Sequence, residues 1–122
     1  DLRERLKTIA NDIELDPALV TSMLAAAAPN DILARILRNL RAIYLSKGER
    51  AKGLSATSRI LMLLPNAAEE YRDRGDLYLE LECFRAALND FRRYLEFAPQ
   101  AQEAHRVRVR IAEIEPLAAR LN

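Results

Sequence analysis

Apolar residues recur along this chain at steps of three and four, the spacing of one face of an α-helix, and no stretch alternates as a strand would. Leu2, Leu6, Ile9 and Ile13 predict a helix over residues 2–13. Asp16-Pro17 is a helix-start signal, because an aspartate oxygen accepts from free N–H groups and proline suits the first helical position. Leu19, Val20, Met23, Leu24 and Ala27 follow on one side, and Pro29 closes this short second helix. The next stripe, Leu33, Leu37, Leu40 and Tyr44, has Asn30 or Asp31 as its cap and Gly48 as a left-handed exit. A partner helix over residues 49–64 places Leu54, Thr57, Leu61 and Leu64 inward, and Pro65-Asn66 breaks it. Residues 68–81 turn Tyr71, Gly75 and Tyr78 inward, and residues 84–97 do the same with Phe84, Leu88, Phe91 and Leu95 before Pro99. A last amphipathic helix carries Ala104, Val107, Ile111 and Ile114, and Pro116 is expected to limit or kink it.

Two of these helix pairs echo each other at a spacing of 34 residues. Tyr44 returns as Tyr78, Leu45 as Leu79, Leu54 as Leu88, Leu61 as Leu95 and Pro65 as Pro99. A period of this length marks a stacked helix-turn-helix unit resembling the tetratricopeptide (TPR) repeat, which needs a neighbour to bury its apolar face. The expected fold class is all-α, a short right-handed superhelix of such units with N-terminal helices and a C-terminal capping helix. Residues 1–30 are read as N-terminal helices that cap the stack or end a preceding domain. Residues 31–66 are read as a degenerate unit, 67–100 as a fuller one and 101–122 as the capping helix and tail. The second unit matches the repeat pattern at Tyr71, Gly75, Tyr78, Ala87, Phe91 and Pro99. Its small residues matter because antiparallel helices approach to about 8–10 Å only where one presents little side chain. Tyr94 stands where an alanine is expected, so packing there should open or rotate. The first unit is weaker, with Arg41 in the place of Gly75 and Thr57 in the place of Phe91.

Composition agrees with this reading and removes several functions. Half of the 122 residues are apolar, only three are glycine, and the formal net charge is +1. Residues 1–66 carry ten Lys/Arg against seven Asp/Glu, and residues 67–122 carry nine against eleven, so neither half is a polybasic tail. That balance argues against nucleic acid, whose affinity rests on phosphate contacts, and no apolar run approaches the roughly 20 residues that span a bilayer. Cys83 is the only cysteine and His105 the only histidine, too few for a disulfide or a structural zinc site. No cofactor or metal is expected, and a reducing cytoplasm fits best. The chain opens on Asp1 inside a helical pattern, which suggests a piece of a longer protein.

The run from Ile32 to Leu45, with Leu37-Arg-Asn-Leu-Arg-Ala-Ile-Tyr-Leu45 as its most specific part, continues with Pro65 and Tyr71-Arg-Asp-Arg-Gly75. It resembles the C-terminal part of the bacterial SirB family, in which a transglutaminase-like domain precedes a short TPR region. The resemblance covers about Pro29 to Ala112. It implies that residues 1–28 are the tail of, or hinge to, a preceding domain. Transglutaminase-like chemistry needs a Cys nucleophile, a His base and an orienting carboxylate brought together. Neither Cys83 nor His105 stands in such a local context, so this fragment is expected to be non-catalytic.

In TPR proteins the first helix of each unit, helix A, lines a concave groove. Transferring that register selects Arg35, Arg38 and Leu45 from the first unit, Arg72, Asp76 and Leu79 from the second, and Arg106 and Arg110 from the last helix. Arg38, Arg72 and Arg106 lie one period apart, and a guanidinium forks two parallel donors toward a planar anion. The competing reading is a solvated helix surface, with Arg72 paired to Asp76 and Asp31 to Arg35. The function expected is protein–protein interaction, with a peptide or partner domain held in the groove. That partner includes the upstream domain of the same chain, and the alternative is the accessory half of a transglutaminase- or protease-like enzyme. Neither nucleic acid nor membrane is an expected partner, and a monomer is favoured over a dimer.

Overall fold

The computed structural model describes residues 17–24 and 28–121. Among them are six helices and no strand: α1 (Pro17–Leu24), α2 (Asn30–Ser46), α3 (Arg50–Leu63), α4 (Ala68–Glu80), α5 (Phe84–Phe97) and α6 (Ala104–Leu121). The helix expected over residues 2–13 lies outside the described residues, as does Ala27. The chain divides into two compact units, residues 1–65 and 66–122.

In the first unit α2 and α3 form an antiparallel pair. Leu33, Ala34, Ile36, Leu37, Leu40, Ile43 and Tyr44 are buried along α2, and Gly53, Ala56, Thr57, Ile60 and Leu61 along α3. Helix α2 starts differently from the sequence expectation. Pro29 holds the extended backbone before the first turn, and no side chain caps it. Asn30 is already helical, and its amide donates to the Leu63 carbonyl at the end of α3 (3.5 Å). Asp31 sits in the first turn, where a carboxylate meets the positive end of the helix dipole. Helix α1 packs against α3 and α2, with Pro17 buried. Leu19, expected on the buried side of α1, is 49% exposed.

Both helix pairs turn through the same hydrogen bonds. At the end of α2, Gly48 N–H donates to Leu45 O (3.1 Å) and Glu49 N–H to Tyr44 O (2.9 Å). At the end of α4, Glu82 N–H donates to Leu79 O (3.0 Å) and Cys83 N–H to Tyr78 O (2.8 Å). These are Schellman motifs one period apart, and each needs a left-handed residue. Gly48 supplies it at φ 75°, and Glu82 supplies it at φ 59° despite carrying a Cβ. The echoed Tyr-Leu pair stands at the two positions whose backbone carbonyls close the turn.

The second unit is built on Phe84, Ala87, Leu88, Phe91 and Tyr94 from α5 and Val107, Ile114 and Ala118 from α6, with Tyr71, Tyr78 and Leu79 of α4 packed against them. Tyr94 is 2% exposed, so its ring lies inside the core. Pro116 does not end α6, which runs on to Leu121. Leu117 and Ala118 continue the stripe of Ile111 and Ile114 onto the same core, and that burial holds the helix together across the missing N–H.

Close helix approach is made differently in the two units. A Cβ built on Gly75 would lie 2.6 Å and 2.7 Å from ring carbons of Phe91, which is fully buried. A Cβ on Gly53 would lie 2.6 Å from a terminal methyl of Leu45, a side chain with room to rotate at 38% exposure. Gly75→Ala is therefore expected to cost about 1–3 kcal/mol through overpacking. Gly53→Ala should be neutral or stabilising by up to about 1 kcal/mol through helix propensity. Urea unfolding of both variants checks this, and equal losses at the two sites would contradict it.

Candidate functional site

The groove residues picked out by register fall into two groups with different surroundings. In the first unit Arg35 is exposed, Arg38 is half-buried, and Leu45 leans its side chain over Gly53. In the second unit α4 carries Arg72, Asp76 and Leu79, and α6 carries Arg106 and Arg110. Leu79 packs against the core and contributes little exposed surface. The charged members meet. Arg106 Nε donates to Glu103 Oε2 at 2.6 Å, and its Nη2 lies 3.5 Å from Asp76 Oδ2, so one guanidinium bridges α4 to the start of α6. Arg72 turns to its neighbour Asp73, with Nη2 3.2 Å from Oδ1, and not to Asp76 one turn on. Its guanidinium carbon lies 5.8 Å from the centroid of the Tyr94 ring. The ring that replaces a small residue in α5 thus supports an arginine from α4. Arg110 lies 3.6 Å from Glu113.

This network shifts its acids in opposite directions. Partial burial pushes the Asp76 carboxyl above its usual range, and Arg106 offsets only part of that. The short bond from Arg106 holds Glu103 below its usual range. A raised acid binds its proton more tightly when folded, so the contribution of Asp76 to stability is lost as pH rises through its folded value. The lowered Glu103 contributes above its unfolded value and loses that contribution as pH falls.

Sequence reasoning missed the strongest ion pair of the second unit. Arg74 Nε and Nη2 donate to the two oxygens of Asp90 at 2.7 Å and 2.8 Å, joining α4 to α5 through a bidentate contact. The Asp90 side chain is 6% exposed and that of Arg74 22%. The Asp90 hydrogen bond raises the Arg74 pKa against the opposing effect of burial. Tyr71 and Tyr78 face the same guanidinium at 5.9 Å and 5.8 Å from their ring centroids. One period earlier the equivalent positions hold Leu40 and Ala56, both fully buried. The next pair along is exchanged too. Gly75 and Phe91 interlock in the second unit, whereas Arg41 Nη1 donates to Thr57 Oγ1 (3.2 Å) in the first. The Thr57 hydroxyl itself donates to the Gly53 carbonyl (3.0 Å), which satisfies a fully buried hydroxyl. All three cross-helix pairs span 16 residues. Comparing positions at that offset in the two repeats was the signal that would have found them.

Cys83 precedes α5 and is exposed, its thiol 3.7 Å from the Leu81 carbonyl, and His105 is exposed on α6. Among the described residues no three His, Cys, Asp or Glu side chains group as metal ligands, and no helix is long and apolar enough to cross a membrane.

Paired antiparallel helices with repeated Schellman turns and interlocked small and aromatic sites define a helical-repeat protein. A tetratricopeptide repeat family model matches residues 40–112, and the chain belongs to that family. Repeats of this kind generally mediate protein–protein contacts and are generally non-catalytic. The chain is 35% identical over 114 residues to a UPF0162 protein of Xylella fastidiosa, covering 93% of this chain and 41% of the relative. It is 32% identical over 102 residues to UPF0162 protein PA3419 of Pseudomonas aeruginosa, covering 84% of this chain and 38% of the relative. It is 27% identical over 84 residues to UPF0162 protein YchA of Escherichia coli, covering 69% and 31% respectively. The chain thus spans about two-fifths or less of the length of these curated relatives.

Asp90→Ala should cost about 2–3 kcal/mol, less than for a fully buried pair because Arg74 keeps contact with water. Adding Arg74→Leu, which recreates the Leu40 and Ala56 pairing, should restore most of the loss in a double-mutant cycle followed by urea unfolding. A separate titration by carboxyl NMR should place the Asp76 midpoint above that of ordinary aspartate and the Glu103 midpoint below that of ordinary glutamate. Arg106→Gln should move both midpoints upward, and an unmoved Glu103 would contradict the assigned contact.

Proposed function

We propose that this chain is a non-catalytic protein-interaction module whose A-helix faces hold a peptide or partner domain. The observation that carries the reading is the match to tetratricopeptide repeats over residues 40–112, whose second unit presents an Arg106–Asp76 bridge and, on the same helix α4, an Arg72–Asp73 pair. In this reading residues 31–66 and 67–100 are the two repeat units, and residues 101–122 cap the second. Residues 1–30 cap the first or end a preceding domain. Arg35, Arg38 and Leu45 extend the contact surface on the first unit, and Leu79 and Arg110 flank the network on the second. The protein works as a monomer in the cytoplasm.

A second reading is supported by the greater length of the relatives, of which this chain covers 41% or less. The SirB-type organisation puts a transglutaminase-like domain upstream, and this chain then serves as the accessory half that positions substrate or binds that domain. Amide hydrolase activity in the full-length Xylella fastidiosa relative that survives removal of the matched region would exclude the accessory role.

The interaction reading is tested by affinity capture followed by cross-linking, with the wild-type chain beside Arg38→Glu/Arg72→Glu. Partners should cross-link to α2 and α4, and the double variant should recover them at least about tenfold less. Equal recovery would remove the arginine face from the binding surface.

A further inference from the structure

The cation excess in the first half of the chain is concentrated in residues 17–65, where seven Lys/Arg stand against only Asp31 and Glu49. Much of it falls on one helix. Unlike the three helices of the second unit, α3 holds Arg50, Lys52 and Arg59 and no carboxylate. Lys52, Ser55, Arg59 and Met62 fall at steps of three and four, so they form one stripe, set off from the buried Gly53, Ala56, Thr57 and Ile60.

One period on, Arg59 becomes Arg93 and Met62 becomes Glu96. Arg93 Nη1 meets Glu96 Oε2 at 3.3 Å, so the second unit neutralises that arginine from its own helix. The first unit makes the same contact to sulfur. Arg59 Nη1 lies 3.8 Å from Met62 Sδ, and a thioether is a weak, uncharged acceptor. Among the described residues no carboxylate pairs with Arg59. Along the stripe, Lys52 reaches Glu49 only at 3.9 Å, and an exposed pair of that kind is worth about 0–1 kcal/mol. Met62 is 71% exposed, and a surface methionine offers a flexible, polarisable apolar contact.

We infer that the outer stripe of α3 is a docking surface for an acidic segment of a partner protein. One carboxylate of that segment takes at Arg59 the place that Glu96 holds at Arg93, while an adjacent apolar side chain rests on Met62. Charge complementarity selects this occupant, because cations outnumber carboxylates in residues 17–65 and methionine replaces the acid that would neutralise the arginine. The exposed Met62 favours a protein segment over a nucleic acid, whose phosphates bind through many cations at once and gain nothing from an apolar neighbour. This surface lies on α3, apart from the faces of α2 and α4 proposed above, and stands whether or not those bind a partner.

The test uses the whole chain labelled with ¹⁵N and with ¹³C at the methionine methyls. It is titrated with a blocked peptide containing glutamate and leucine, with a counterpart carrying glutamine in place of glutamate, and with a single-stranded RNA oligonucleotide. The acidic peptide should give saturable shifts at the Met62 methyl and at the amides of Ser58, Arg59 and Met62 that weaken with added salt, and the glutamine peptide should give none there. Arg59→Glu should reduce affinity at least about tenfold with an unchanged helical circular dichroism spectrum. Met62→Glu, which recreates the arrangement of Arg93 and Glu96, should also weaken binding, whereas Met62→Leu should keep it. Equal binding of the glutamine peptide, tighter binding of the RNA, an affinity unmoved by Met62→Glu, shifts confined to α2 and α4, or no saturable shift with the acidic peptide would each overturn the inference.

Discussion

In the second unit a buried aromatic ring lies where a helix would ordinarily carry a side chain. Phe91 of α5 is fully buried against the backbone of Gly75 in α4, with no room for even a methyl group between them. The rest of the unit depends on that approach. It brings Arg74 within bidentate reach of Asp90, and it sets Tyr71 and Tyr78 around the same guanidinium. The Schellman turn at Glu82 then returns the chain in register. Helix propensity alone would not order these short elements, and tertiary packing of the apolar faces supplies most of their stability.

The two units solve one geometric problem with different chemistry. At corresponding positions Leu40 and Ala56 become Arg74 and Asp90, while Arg41 and Thr57 become Gly75 and Phe91. Each unit therefore has one polar and one nonpolar pair at these positions, in exchanged places. A change at one crossing position is matched by its partner on the opposite helix, which keeps buried polar groups paired. That is why the repeat looks degenerate when positions are compared singly and coherent when they are compared in pairs. Surface charge follows a similar logic. On α4, α5 and α6 alike exposed arginines are matched by carboxylates one to three residues away or on a neighbouring helix.

The helices of the two repeat pairs, most of their inward stripes and the 34-residue echo were legible in the sequence because apolar periodicity and turn residues act locally. Gly48 announced its left-handed turn, whereas Glu82 did not, since the hydrogen bonds of the turn impose that conformation on a residue that disfavours it. Pro116 read as a limit or a kink, yet packing of Leu117 and Ala118 carries α6 past it. The candidate arginines could be placed on helix faces by counting. Their partners could not, because Arg72 chose Asp73 over Asp76 and Arg106 reached across to another helix.

By itself the sequence determined that this is an all-helical repeat protein with two unequal units, because spacing and turn chemistry depend on neighbours within a few residues. Which charges are neutralised and which glycine is indispensable were decided only by the tertiary structure. The buried Arg74–Asp90 pair, the Arg41–Thr57 bond and the Gly75–Phe91 approach each join positions 16 residues apart, and such distances exist only once the helices have packed.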